Sequence, residues 1–99
     1  MEVIWTNTAT KEYESLLEYL LTKFSLTVMK NFMMETEKQV ENISKFNEIG
    51  QAYENTNYRY LLLSEQTYLF YKIENNKVYI SEIWDNRQNP IKLNIILHS

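Results

Sequence analysis

A chain of 99 residues supports one domain, 1–99, because so short a sequence cannot be divided into two halves that each bury a core. Its 44% hydrophobic and 23% charged residues belong to a globular protein, and the absence of cysteine excludes disulfides, thiolate metal sites and a thiol nucleophile. A net charge of −3, from 10 basic and 13 acidic residues, argues against a protein that coats nucleic acid by neutralising phosphates.

Met1 to Thr6 reads as a strand, since Val3, Ile4 and Trp5 are β-branched or aromatic, and Thr6, Asn7 and Thr8 offer side-chain oxygens to cap a helix. From Ala9, the apolar positions Tyr13, Leu16, Leu17, Leu20, Leu21 and Phe24 follow helical spacing, with Lys11, Glu12, Glu14 and Glu18 on the other side. Ser25 or Thr27 caps a second amphipathic helix, whose stripe runs through Met29, Phe32, Met33, Thr36, Val40 and Ile43. The two form a helical hairpin. Residues 47–57 hold the sole glycine, Gly50, and show neither helical nor strand period, so a loop is expected there.

Three strands follow, Tyr58 to Leu63, Thr67 to Ile73 and Val78 to Trp84, joined by connections short enough for an antiparallel meander. Asn75-Asn76 tolerates the positive φ of a tight hairpin turn. Asn89-Pro90 stops the last strand. The tail from Ile91 is apolar without a clear period and is expected to lie against the sheet or a partner. The predicted fold is therefore α+β, in the order β-α-α-β-β-β, with a helical hairpin on a small antiparallel sheet. No apolar run approaches the roughly 20 residues that span a bilayer, and residues 1–10 lack the pattern of a secretion signal. A cytoplasmic protein without a membrane partner is expected.

The composition removes most catalytic chemistries. One histidine and no cysteine make a zinc site improbable, and a single glycine cannot build a phosphate-binding glycine loop, so neither metal nor cofactor is expected. A Ser-His-acid arrangement would need His98, next to the last residue, where chain ends fray. The two arginines stand out, because the other eight basic residues are lysine. Arg59 and Arg87 both lie in residues 58–99, which carry five basic and four acidic residues against five and nine in residues 1–57. A planar guanidinium suits phosphate or carboxylate. In structural roles, Arg59 would pair with an acid on a neighbouring strand, and Arg87 would order the turn after the last strand through Asp85 or Glu82. The strand tyrosines Tyr58, Tyr60, Tyr68, Tyr71 and Tyr79 read as core. The methionines read as gap-filling core.

The opening Val-Ile-Trp-Thr, the Ile49-Gly50 turn after the second helix, the closing strands Tyr68 to Ile73 and Val78 to Ile83, and Arg87-Gln88-Asn89-Pro90 together resemble RelE/ParE toxins of type II toxin-antitoxin systems. The resemblance covers residues 2 to 93. It implies the β-α-α-β-β-β fold and neutralisation by a cognate antitoxin, with a homodimer or a toxin-antitoxin hetero-oligomer both compatible. It implies one of two targets: ribosome-bound messenger RNA, cut by RelE-like members, or DNA gyrase, inhibited by ParE-like members. For RNA cleavage it assigns Arg59 and Arg87 to phosphate contact, Glu48 to the place of a general base and His98 to that of an acid. Residues 49–57, however, carry no lysine or arginine where RNA-cleaving members are basic, and the chain is acidic. The expectation therefore turns toward a ParE-like inhibitor that acts by binding, with a RelE-like endoribonuclease and a non-toxic, antitoxin-binding member as alternatives.

Overall fold

The computed structural model describes residues 1–87, 93, 96 and 97. The elements are β1 (Glu2–Trp5), α1 (Asn7–Lys23), α2 (Leu26–Lys45), β2 (Gln51–Ala52), β3 (Tyr58–Ser64), β4 (Thr67–Glu74) and β5 (Lys77–Asp85), and the sheet order is β1-β5-β4-β3-β2. The expected α+β layout holds, with two differences.

The first concerns β1, which runs parallel to β5, so the sheet is mixed rather than wholly antiparallel. Short turns dictate the β3-β4-β5 meander, whereas the two helices carry the chain from β1 at one edge of the sheet to β2 at the other, and β5 returns to β1 only after the meander, so no tight turn forces the pair to be antiparallel. Thr6 fixes the junction. Its hydroxyl accepts from the Ala9 N–H at 3.1 Å as the N-cap of α1 and donates to the Ile80 carbonyl at 2.9 Å. One side chain thus starts the helix and ties it to β5. The second difference is β2, a two-residue strand paired with β3 inside the stretch expected to be loop.

Ser25 caps α2 by accepting from the Val28 N–H at 3.1 Å. The β4–β5 turn places Asn75 at φ 52° and Asn76 at φ 62°, the left-handed conformations that asparagine tolerates best after glycine.

The sheet has two apolar faces. Ala9, Phe32 and Ile43 of the helices meet Leu63, Leu69, Tyr71, Val78, Ile80 and Ile83 on one. On the other, Phe70 and Trp84 are buried with Leu93 and Leu97, bordered by Tyr53, Tyr58, Tyr60, Tyr68 and Ile96. The described residues of the tail therefore cover the sheet, as expected of an apolar C-terminal segment. A bulge explains the spacing on β5: Phe70 pairs with Glu82 and Tyr71 with Ile80, leaving Ser81 as the extra residue. It brings both Ile80 and Ile83 to the helical face and sends Glu82 and Trp84 to the other. α1 secures this distortion, because Glu12 Oε1 accepts from the Ile83 N–H at 2.9 Å. Among the described residues, no helix is long and apolar enough to cross a membrane.

Candidate functional site

The segment after α2 is held from beneath by the sheet. Asn47 continues the helix end by donating from Nδ2 to the Ile43 carbonyl at 2.7 Å and the Ser44 carbonyl at 3.2 Å. The chain then crosses the buried ring of Tyr71. The Tyr71 hydroxyl donates to the Asn47 carbonyl at 2.8 Å and accepts from the Gly50 N–H at 2.9 Å. Burial pushes the Tyr71 phenol above its ordinary value, more than the Gly50 N–H and the Arg59 charge lower it, so the proton required for donation is retained.

Arg59 stands beside Tyr71 in the β3–β4 register and grips the same segment. Its Nη1 donates to the Gly50 carbonyl at 2.8 Å and the Glu48 carbonyl at 3.3 Å. The arginine thus meets main-chain carbonyls, not the acid on a neighbouring strand that pairing rules favour. Glu48 is brought to Arg59 through its carbonyl, and its own side chain is exposed.

Arg87 lies elsewhere. Its Nε and Nη2 donate to Asp85 Oδ1 at 3.0 Å and Oδ2 at 2.6 Å, the Arg87 N–H donates to Asp85 Oδ1 at 2.9 Å, and the guanidinium lies 5.7 Å from the Tyr19 ring centroid. Hydrogen bonds from Arg87 hold the Asp85 carboxyl below its usual range. The same partner raises the guanidinium still further above its already high value. Along β4, the row containing Arg59 and Tyr71 is four residues from the row containing Thr67 and Asp85. Four residues of strand and two strand spacings amount to about 13 Å along and about 10 Å across the sheet. Arg59 and Glu48 therefore share one end and Arg87 the other, while His98 lies outside the described residues.

One contributor escaped sequence reading. Tyr71 looks like any strand aromatic, and its role shows only through the glycine it faces: a Cβ on Gly50 would stand 2.6 Å from Tyr71 Cε1. The sole glycine, placed between a helix and a strand, was the available signal. Glu82, which the sequence offered as a partner for Arg87, is instead a carboxylate only 5% exposed on the other face of the sheet, and its Oε2 has no hydrogen-bond partner among the described residues. Among the described residues, no group of three or more His, Asp or Glu side chains is arranged to hold a metal ion.

The fold is similar to that of a chain from the chromosomal ParDE TA system of P. aeruginosa, with a TM-score of 0.73, 15% identity, and coverage of 86% of this chain and 95% of that one. A YoeB/ParE toxin from Agrobacterium tumefaciens gives a TM-score of 0.63 at 10% identity, covering 86% and 98%, and a YoeB dimer from Staphylococcus aureus gives 0.60 at 12% identity, covering 84% and 93%. No curated protein sequence matches significantly. The sequence profile of the ParE toxin of the type II toxin-antitoxin system, parDE, matches residues 3–90. With that match spanning most of the sequence, the chain belongs to the ParE toxin family of type II toxin-antitoxin systems.

Proposed function

We propose that this toxin acts by binding DNA gyrase and is silenced by a cognate antitoxin, rather than by cleaving RNA. The observation that supports this reading most is the separation of Arg59 from Arg87. Cleavage of a ribose-phosphate backbone needs acid, base and phosphate-binding groups around one phosphodiester. Here Arg59 donates to the carbonyls of Glu48 and Gly50, while Arg87 is committed to Asp85 at the far end of the sheet. A surface for binding requires no such convergence. The family match points the same way, and residues 49–57 lack the cations that a ribosomal RNA surface would attract.

The test is inhibition of DNA supercoiling by purified gyrase, with the toxin freshly released from its antitoxin. Inhibition that rises with toxin concentration is expected. Full supercoiling at large molar excess, together with new transcript ends on induction in cells, would overturn the proposal in favour of RNA cleavage.

A further inference from the structure

The tip of the helical hairpin is built of apolar residues that the fold leaves exposed: Leu21 and Phe24 at the end of α1, Leu26 and Val28 at the start of α2. Residues 19–34 also hold Lys23 and Lys30 and no acid, so the tip is cationic in a chain of net charge −3. Both lysines are exposed, and neither has a salt bridge among the described residues. Lys23 follows Tyr19 by one helical turn and Lys30 follows Leu26 by one turn, so each stands next to an apolar neighbour on its own helix. Beneath the tip, an open groove of about 590 Å³ separates the hairpin from the β3–β4 turn, with Leu20, Phe24, Val28, Leu63 and Arg87 among its lining. Tyr19 joins its two ends, meeting the Phe24 ring edge-on at 6.2 Å between centroids and lying 5.7 Å from the Arg87 guanidinium. Asp85 already pairs Arg87, which leaves Lys23 and Lys30 as the unmatched charge of this surface.

We infer that the hairpin tip is the surface by which this toxin holds gyrase, receiving an apolar segment that carries aspartate or glutamate side chains. The inference rests on the gyrase reading above and adds where the contact lies and what chemistry meets it. Single exposed apolar residues are ordinary, but four clustered beside an apolar groove mark a surface that binds. Phe24 supplies a ring to bury, the groove supplies a concave seat, and the two unmatched lysines select the sign of the incoming charge. A second copy of this chain fits poorly, because a two-fold pairing of tips would set Lys23 and Lys30 against their own images. An anionic bilayer fits poorly as well, since a flat layer leaves the groove empty and its headgroups would also meet Glu35 and Glu65 in the groove lining. A folded partner can instead hold its carboxylates toward the lysines alone.

The experiment titrates purified gyrase with toxin at low and high salt and reads the concentration that halves supercoiling. The variants are Phe24→Ser/Val28→Ser, Lys23→Glu/Lys30→Glu and, as a control, Phe46→Ser, which alters an equally exposed phenylalanine at the far end of α2. Circular dichroism melts verify that each variant is folded. The apolar variant should raise that concentration about tenfold or more at both salt levels, as loss of an anchoring ring does. Charge reversal should raise it at low salt by a margin that narrows as salt rises, and the control should match wild type. Wild-type inhibition that either tip variant reproduces in full overturns the tip assignment while leaving the gyrase reading intact. Self-association of wild type that the tip variants abolish places a second copy there and overturns it, as does tip-dependent binding to phosphatidylglycerol vesicles for a membrane. No inhibition by wild type overturns the gyrase reading and the inference together.

Discussion

The Tyr71 hydroxyl and the Gly50 N–H meet at 2.9 Å in a contact that leaves no room for a side chain at residue 50. Gly50 has no positive φ, so the requirement for glycine here is space rather than backbone conformation. Gly50→Ala would press a methyl group into a buried ring that the Asn47 carbonyl also holds, and should destabilise the protein by about 1–3 kcal/mol. Tyr71→Phe should cost about 1–3 kcal/mol by a different route, leaving the Gly50 N–H and the Asn47 carbonyl without their partner. Urea denaturation of both variants measures this. Equal stability of Gly50→Ala and wild type would show that the segment shifts freely over the ring.

The same phenol makes stability depend on pH at the alkaline end. Its folded value is raised, so the stabilisation is complete below the unfolded value near 10 and is lost as pH rises through the folded value. Thermal melts between about pH 8 and 11 should show a decline that is shallower in Tyr71→Phe.

Arg59 is expected to act on the segment rather than on phosphate. Arg59→Ala removes two donors from the Gly50 and Glu48 carbonyls and should lower stability by about 1–2 kcal/mol. Hydrogen exchange should quicken at the Gly50 amide and stay unchanged at the Asn86 amide, which bonds the Gln66 carbonyl at the other end of the sheet. Uniform exchange at both amides would assign Arg59 no local bracing role.

At the opposite end, Asp85→Asn should alter acid stability. The folded Asp85 value is lowered, so its contribution is present above the unfolded value near 3.9 and is lost as pH falls through the folded value. Arg87 is exposed and Asp85 half-buried, so solvent screens the pair and its worth at neutral pH is small. Melts of Asp85→Asn and wild type should nearly coincide at low pH and separate slightly as pH rises past 4. Toxicity of Arg87→Ala on induction then reports target contact, because its fold is expected to survive.

Local chemistry made most of the fold legible: threonine and serine caps, helical stripes and the Asn75-Asn76 turn each depend on neighbours in sequence. The parallel docking of β1 and the Ser81 bulge were not legible, because both arise from contacts across the whole chain, such as Thr6 with Ile80 and Glu12 with Ile83. The helical stripe also overreached at Leu21 and Phe24, which continue the apolar period yet are 46% and 63% exposed where α1 runs past the sheet core. For the site, residue type identified Arg59 and Arg87 as worth attention but not their separation, which follows from the strand register.

The bulge has an energetic consequence at Glu82. By placing Ile83 on the helical face, it sends the Glu82 carboxylate among Phe70 and Trp84 on the other face, where Oε2 has no hydrogen-bond partner among the described residues. A buried polar group without a hydrogen bond costs about 1–3 kcal/mol in mutational measurements. Glu82→Met keeps the length of the side chain and removes that cost, so the variant should be more stable than wild type by an amount of about that size. Glu82→Ala is the control, since it also removes the carboxylate but opens a cavity against the aromatic face and should not give the same gain. Chemical denaturation of the three proteins separates the two effects. A Glu82→Met protein less stable than wild type would mean that the carboxylate is satisfied in solution and holds this face of the sheet together.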